Sequence, residues 1–248
     1  MEKSHRIKGL RDKPLLVEPG ADEFGWMRVR PADIEAMEGM LTDKRGNNQR
    51  FTLCYLLYRM RGLGLDVTVT EGDRKMLTAE YGDVIRGDSL ADTLEWTSIL
   101  RELGLEISVD DGDRGAITKA IYDARVRGLK DEEGKWWGHI LFAAKSLGCQ
   151  VEVTPKDAEV MRRALEAARG DELVGGYTIA ETHYFMRELG VAEAITEGDI
   201  KLMKEKVEEG RKTKNGGDIA WMLYYLNRLF PRKEKTDTPL PPLKEYGK

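Results

Sequence analysis

The stretch TEGDRKM at residues 70–76 decides how this chain is read, because it comes back. It returns as DDGDRGAI at 110–117, TPKDAEVM at 154–161 and TEGDIKLM at 196–203, and a related form, RPADIEAM, stands at 30–37. Anchored on the shared acid, Asp33, Asp73, Asp113, Asp157 and Asp199 are spaced by 40, 40, 44 and 42 residues. A period of this length marks a repeat architecture.

Each copy carries the chemistry of a helix start. Thr70, Asp110, Thr154 and Thr196 are good N-cap residues. The Asp three places on can reach back to the N-cap amide and face the positive end of the helix. Pro31 and Pro155 fall at the first helical position, where a missing N–H costs nothing. Four and eight residues after the anchor come Met37/Leu41, Leu77/Tyr81, Ile117/Ile121, Met161/Leu165 and Met203/Val207. That spacing places each pair on one helix face. The first helix of each unit is expected to end near Gly46, Gly87, Gly128, Gly170 or Gly210, by a left-handed glycine.

A second helix follows in every unit and closes on a Leu, with a glycine next in the first four. Positions seven, four and three before that Leu read Trp96/Ile99/Leu100, Ile140/Ala143/Ala144, Thr182/Phe185/Met186 and Met222/Tyr225/Leu226. This is the stripe of a buried helical face. The first unit breaks it with Arg59, as a terminal unit can. Between Gly64, Gly104, Gly148 or Gly190 and the next helix lie six-residue links such as LDVTVT and LEISVD, read as ordered extended linkers. Their alternation also suits short strand fragments.

The expected fold is therefore all-α: a right-handed α-solenoid-like array of about five helical hairpins on a 40–44-residue repeat, with short extended linkers. The repeat domain spans 26–230, between an extended segment at 1–25 and a Pro- and Lys-rich tail at 231–248. Five units can also curl tightly enough to make a compact globule.

Composition narrows the function. The net charge of -4 argues mildly against nucleic acid. Charged residues make up 34% of the chain while Asn and Gln are scarce, a thermophile-like balance. Cys54 and Cys149 lack the spacing of a metal site or a disulfide framework. The N-terminus has no apolar signal core, and no apolar run is long enough for a membrane span, so a cytoplasmic protein is expected. No nucleotide, phosphate-loop, zinc-protease or serine-elbow motif appears, so no cofactor is assigned.

Two sets of residues are candidates. Eight places before the closing Leu of the second helices stand Tyr55, Glu95, His139, Glu181 and Trp221. Glu95, His139 and Glu181, with His183 nearby, could converge to hold a metal or move a proton; a polar, hydrogen-bonded helix edge explains the same column. Along another edge, Arg45, Arg86, Arg127 and Arg169 each precede the glycine expected to end a first helix. Cations are favourable at helix C-termini without any ligand, and the same edge could receive an acidic partner or RNA. The Trp136–Trp137 pair and the other aromatics read as core. Repeat arrays present long surfaces, so the expected function is a non-catalytic interaction scaffold whose partner is another protein. The alternatives are an enzyme or metal-binding protein built on Glu95, His139, Glu181 and His183, and an RNA-binding solenoid using the arginine edge.

Overall fold

The computed structural model describes residues 25–84, 90–129, 131–171 and 175–231. Within them the chain forms ten α-helices and one short 3-10 turn, Gly25–Met27, and no strand. The hairpins run α1 (Pro31–Gly46) and α2 (Arg50–Gly62), α3 (Glu71–Val84) and α4 (Leu90–Glu102), and α5 (Asp111–Arg127) and α6 (Asp131–Ser146). They continue as α7 (Pro155–Arg169) and α8 (Gly175–Glu188), then α9 (Glu197–Thr213) and α10 (Gly216–Leu229). None of the described helices is long and apolar enough to cross a membrane.

The helix starts follow the caps. Thr70 Oγ1 accepts the Asp73 N–H at 3.1 Å, while the Thr70 N–H donates to Asp73 Oδ2 at 2.9 Å. The same reciprocal pair joins Asp110 to Asp113, Thr154 to Asp157 and Thr196 to Asp199. Helices α2, α4, α6 and α8 are each closed by a glycine that the backbone requires. Gly64, Gly104, Gly148 and Gly190 have φ of 79°, 82°, 85° and 77°. The following N–H of Leu65, Leu105, Cys149 or Val191 then reaches back to the carbonyl of Met60, Leu100, Ala144 or Met186, closing the helix with an apolar pair.

The first helices of the units end differently from expectation. Gly128 alone among their described glycines has a positive φ, 85°. Gly46 and Gly210 lie inside α1 and α9, and Gly170 caps α7 at φ -89°. Asn48 and Lys214 take the left-handed turn instead; Gly87 lies outside the described residues, as do the segments 1–24 and 232–248. The linkers carry no strand pairing, and Val69, Val109 and Val153 rest half-buried against the core.

The +4/+8 stripe is buried as expected at Met37, Leu77, Met161, Leu165, Met203 and Val207. So is the second-helix stripe, including Trp96, Ala144, Met186 and Leu226. Helices α2, α4, α6, α8 and α10 each pack against the next, and α10 packs back against α2. Helix α1 packs against α10 in the same way that α9 packs against α8.

Two contacts repeat at this closure. The anchor Asp of one unit accepts a two-pronged pair from an Arg twelve residues after the preceding anchor: Arg45 to Asp73, Arg125 to Asp157 and Arg169 to Asp199. Arg211 makes it to Asp33, 178 residues away, at 3.0 and 2.8 Å, and also binds the Trp26 and Arg28 carbonyls. The second contact is a helix-to-helix approach that only glycine permits. A Cβ on Gly176 would lie 2.6 Å from the Leu202 carbonyl oxygen, and one on Gly216 would lie 2.3 Å from that of Ala36. Each oxygen belongs to the residue three places after an anchor Asp. Helices α9 and α10 therefore meet α1 through the same pairings by which α7 and α8 meet α9.

Candidate functional site

Closing the even-numbered helices into a cycle brings one face of each toward a common axis. A cavity of about 740 Å³ opens there. It is lined by α2 (Phe51, Tyr55, Leu56, Arg59), α4 (Glu95), α6 (Trp136, His139, Ile140), α8 (Glu181) and the start of α10 (Asp218, Trp221). The column Tyr55, Glu95, His139, Glu181 and Trp221 thus converges, with all five side chains lining this one cavity. Aromatic side chains mark the mouth, where Phe51 is 52% and Trp136 37% exposed. Trp137 instead is buried and gives its Nε1–H to Asp157, so the Trp pair divides between rim and core.

The deepest ionisable groups are displaced from ordinary behaviour. Burial pushes the Glu95 carboxyl up to about 7, opposed by the neighbouring Tyr55 hydroxyl and the charge of Arg59. Burial also raises Glu181, against the pull of His139; Tyr225 donates to its Oε1 at 2.9 Å. Burial lowers His139 to about 4, although Glu181 opposes the change. His139 is accordingly neutral near pH 7, and its 3.6 Å approach of Nδ1 to Glu95 Oε1 is not an ion pair. Its ring stacks on Phe185, with centroids 4.6 Å apart and planes 12° from parallel. The imidazole is held by packing rather than by a second carboxylate.

Arg59, which the sequence presents as a terminal unit's break in the stripe, also lines the cavity. It interrupts the apolar stripe of α2, at a place occupied by Ile99, Ala143, Phe185 and Tyr225 in the other inner helices. It is buried to 7% exposure with its guanidinium 4.1 Å from the Trp221 ring centroid and 4.9 Å from that of Tyr55. Its Nε–H has no hydrogen-bond partner, and neither does the buried Trp221 Nε1–H. The signal was legible: a charge at a position that is otherwise core is either satisfied or functional.

The remaining candidates sit elsewhere. His183 does not line the cavity; its Nε2 lies 3.2 Å from Asp199 Oδ2, beside the Arg169 pair. Among the described residues no three His, Cys, Asp or Glu side chains are disposed to hold a metal ion. Arg45 and Arg169 are engaged by Asp73 and Asp199, with side chains 31% and 23% exposed. In the third unit it is Arg125, not Arg127, that grips the next anchor; Arg86 lies outside the described residues. Compared with protein-family models, with curated proteins and with solved structures, the chain finds no match.

Proposed function

We propose that this protein binds a small organic molecule in the axial cavity and transfers a proton to or from it, with Glu95 as the acid–base group. The observation that carries the reading is the convergence of Glu95, His139 and Glu181 from three successive inner helices in one aromatic-rimmed cavity. Its volume suits a drug-sized ligand, for which pockets run about 300–1,000 Å³. Displaced ionisable groups gathered in a cleft are the physical mark of a functional site. A carboxyl near 7 exchanges its proton at neutral pH, where general acid–base catalysis is most effective. His139 supplies a neutral acceptor next to it, and Glu181, held by Tyr225, sets the local charge. The same reading takes the helix cycle as five repeat units closed head to tail, with the inner helices presenting one register position to the axis. It also places the protein in a reducing, cytoplasmic setting, supported by two free, buried cysteines.

The test is to incubate the full chain with a small-molecule extract and follow masses over time. A compound converted by the natural protein and left intact by Glu95→Gln supports the reading. An extract in which no mass changes with the natural protein, or changes equally with Glu95→Gln, overturns it.

A scaffold role has one observation in its favour. Tyr122 and Val126, one turn apart on α5, are 63% and 69% exposed. Loss of a co-purifying protein on Tyr122→Glu supports that role.

A further inference from the structure

The cavity also holds information about the molecule it takes. Buried polar groups without partners report what is missing, because each costs free energy until it is matched. Two such groups belong to side chains lining the cavity, Arg59 Nε–H and Trp221 Nε1–H, and both are donors. Arginine carries five N–H donors and no acceptor, and here the guanidinium rests against ring faces. Arg59 acts on Glu95 and Glu181 by charge rather than by a hydrogen bond. The nearest acids therefore leave its fork open. What Arg59 lacks is an acceptor.

The charges then choose among acceptors. Glu95 and Glu181 stand around a single buried guanidinium, and Asp92, Asp218 and Lys44 also line the cavity. A phosphate dianion would bring two charges to one guanidinium, beside two carboxyls that burial already biases against ionisation. A carboxylate brings one charge in a planar two-oxygen head that fits the guanidinium fork. The walls beyond it are apolar or aromatic at Leu56, Ile140, Phe51 and Trp136, which suits a body without further charge.

We infer that the ligand of the axial cavity is a monocarboxylic acid with an apolar or aromatic body, its carboxylate held by Arg59 with the Trp221 Nε1–H as an adjoining donor. The inference rests on the ligand-binding reading above and adds the class of ligand. It makes Arg59 the residue that selects the head group, while Phe51 and Trp136 at the mouth close over the body.

The test uses isothermal titration of the full chain with three probes that share one body and differ only in head group: 4-phenylbutyrate, 4-phenylbutyramide and 4-phenylbutylamine. The acid is expected to bind at least about tenfold more tightly than the amide, as a charge-assisted pair in a desolvated site requires, and the amine is expected not to bind. Arg59→Gln should abolish the preference of acid over amide, and Arg59→Lys should retain part of it. The comparison on the natural protein needs no variant, so a variant that fails to fold leaves the test intact. Tighter or equal binding of the amide or amine overturns the carboxylate assignment while leaving a small-molecule cavity in place. Absence of measurable binding by the acid, or an acid affinity unchanged in folded Arg59→Gln, also overturns it. Conversion of an extract compound that lacks a carboxylate would separate the two readings from the other side.

Discussion

Glu95→Gln should make this protein more stable, and only above a particular pH. The Glu95 side chain is 13% exposed, and burial moves its carboxyl from an ordinary 4.5 to about 7. The folded state therefore holds the proton more tightly than the unfolded chain does. The sign follows from linkage: stability is greatest below pH 4.5, declines as the pH rises from there to about 7, and stays low above it. Each tenfold change in the acid constant is about 1.4 kcal/mol, so the whole displacement costs the folded state about 3 kcal/mol above pH 7. Glutamine keeps the shape and removes the charge. In urea titrations at pH 8 the variant should exceed the natural protein by about 2–3 kcal/mol, and near pH 4 the difference should fall to within about 0.5 kcal/mol. A Gln variant that is no more stable at pH 8, or more stable by the same amount at both pH values, would refute the idea that Glu95 is an ionisable group held in an unfavourable place.

Three further outcomes follow from the closure. Arg211→Ala leaves Asp33, 2% exposed, without its cation, and breaking such a buried pair costs about 3–5 kcal/mol; the same change at the more exposed Arg45 should cost less, as urea midpoints will report. Gly216→Ala forces a methyl group against the Ala36 carbonyl and should destabilise by at least about 1–3 kcal/mol, whereas Gly39→Ala on α1 meets open space and should stabilise by about 0.5–1 kcal/mol. For Asp157 and Asp199, burial raises the carboxyl, but the hydrogen bonds from Arg125 and Arg169 and the capping groups outweigh it and hold both acids low. Their contribution is present above the usual carboxylate range and lost as the pH falls below it. Asp199→Asn should therefore cost stability at neutral pH and flatten the acid-side loss followed by circular dichroism.

The elements of this fold were legible where their causes are local. Helix starts are fixed by Thr or Asp with an Asp three places on, and the ends of α2, α4, α6 and α8 by a glycine whose φ no other residue adopts cheaply. What the sequence withheld is the closure, which depends on Arg211 and Asp33 at opposite ends of the chain. The clue lay in the choice of register. Counted twelve places from each anchor Asp, the chain reads Arg45, Ile85, Arg125, Arg169 and Arg211; counted back from glycine, it reads as a free basic edge. The unit that carries Ile85 precedes Asp113, the one anchor of the five that is exposed. The column of Glu95, His139 and Glu181 was visible as a pattern, but its meaning depended on that closure. Around an open array the same residues would line a wet edge with ordinary acid constants.

That dependence links fold to function. The clamps and glycine approaches join α9 and α10 to α1, and the cavity lined by α2, α4, α6, α8 and α10 is where burial displaces Glu95, Glu181 and His139. Free energy gained at the periphery offsets the cost of keeping two carboxyls and an arginine at the centre, which an apolar core would not incur. A chain selected only for packing would place apolar side chains at positions 59, 95 and 181, as it does one turn after Glu95 and Glu181 at Ile99 and Phe185. The retention of Arg59 against the faces of Tyr55 and Trp221, with a buried N–H that nothing in the protein satisfies, is the departure from good packing on which the ligand proposal rests.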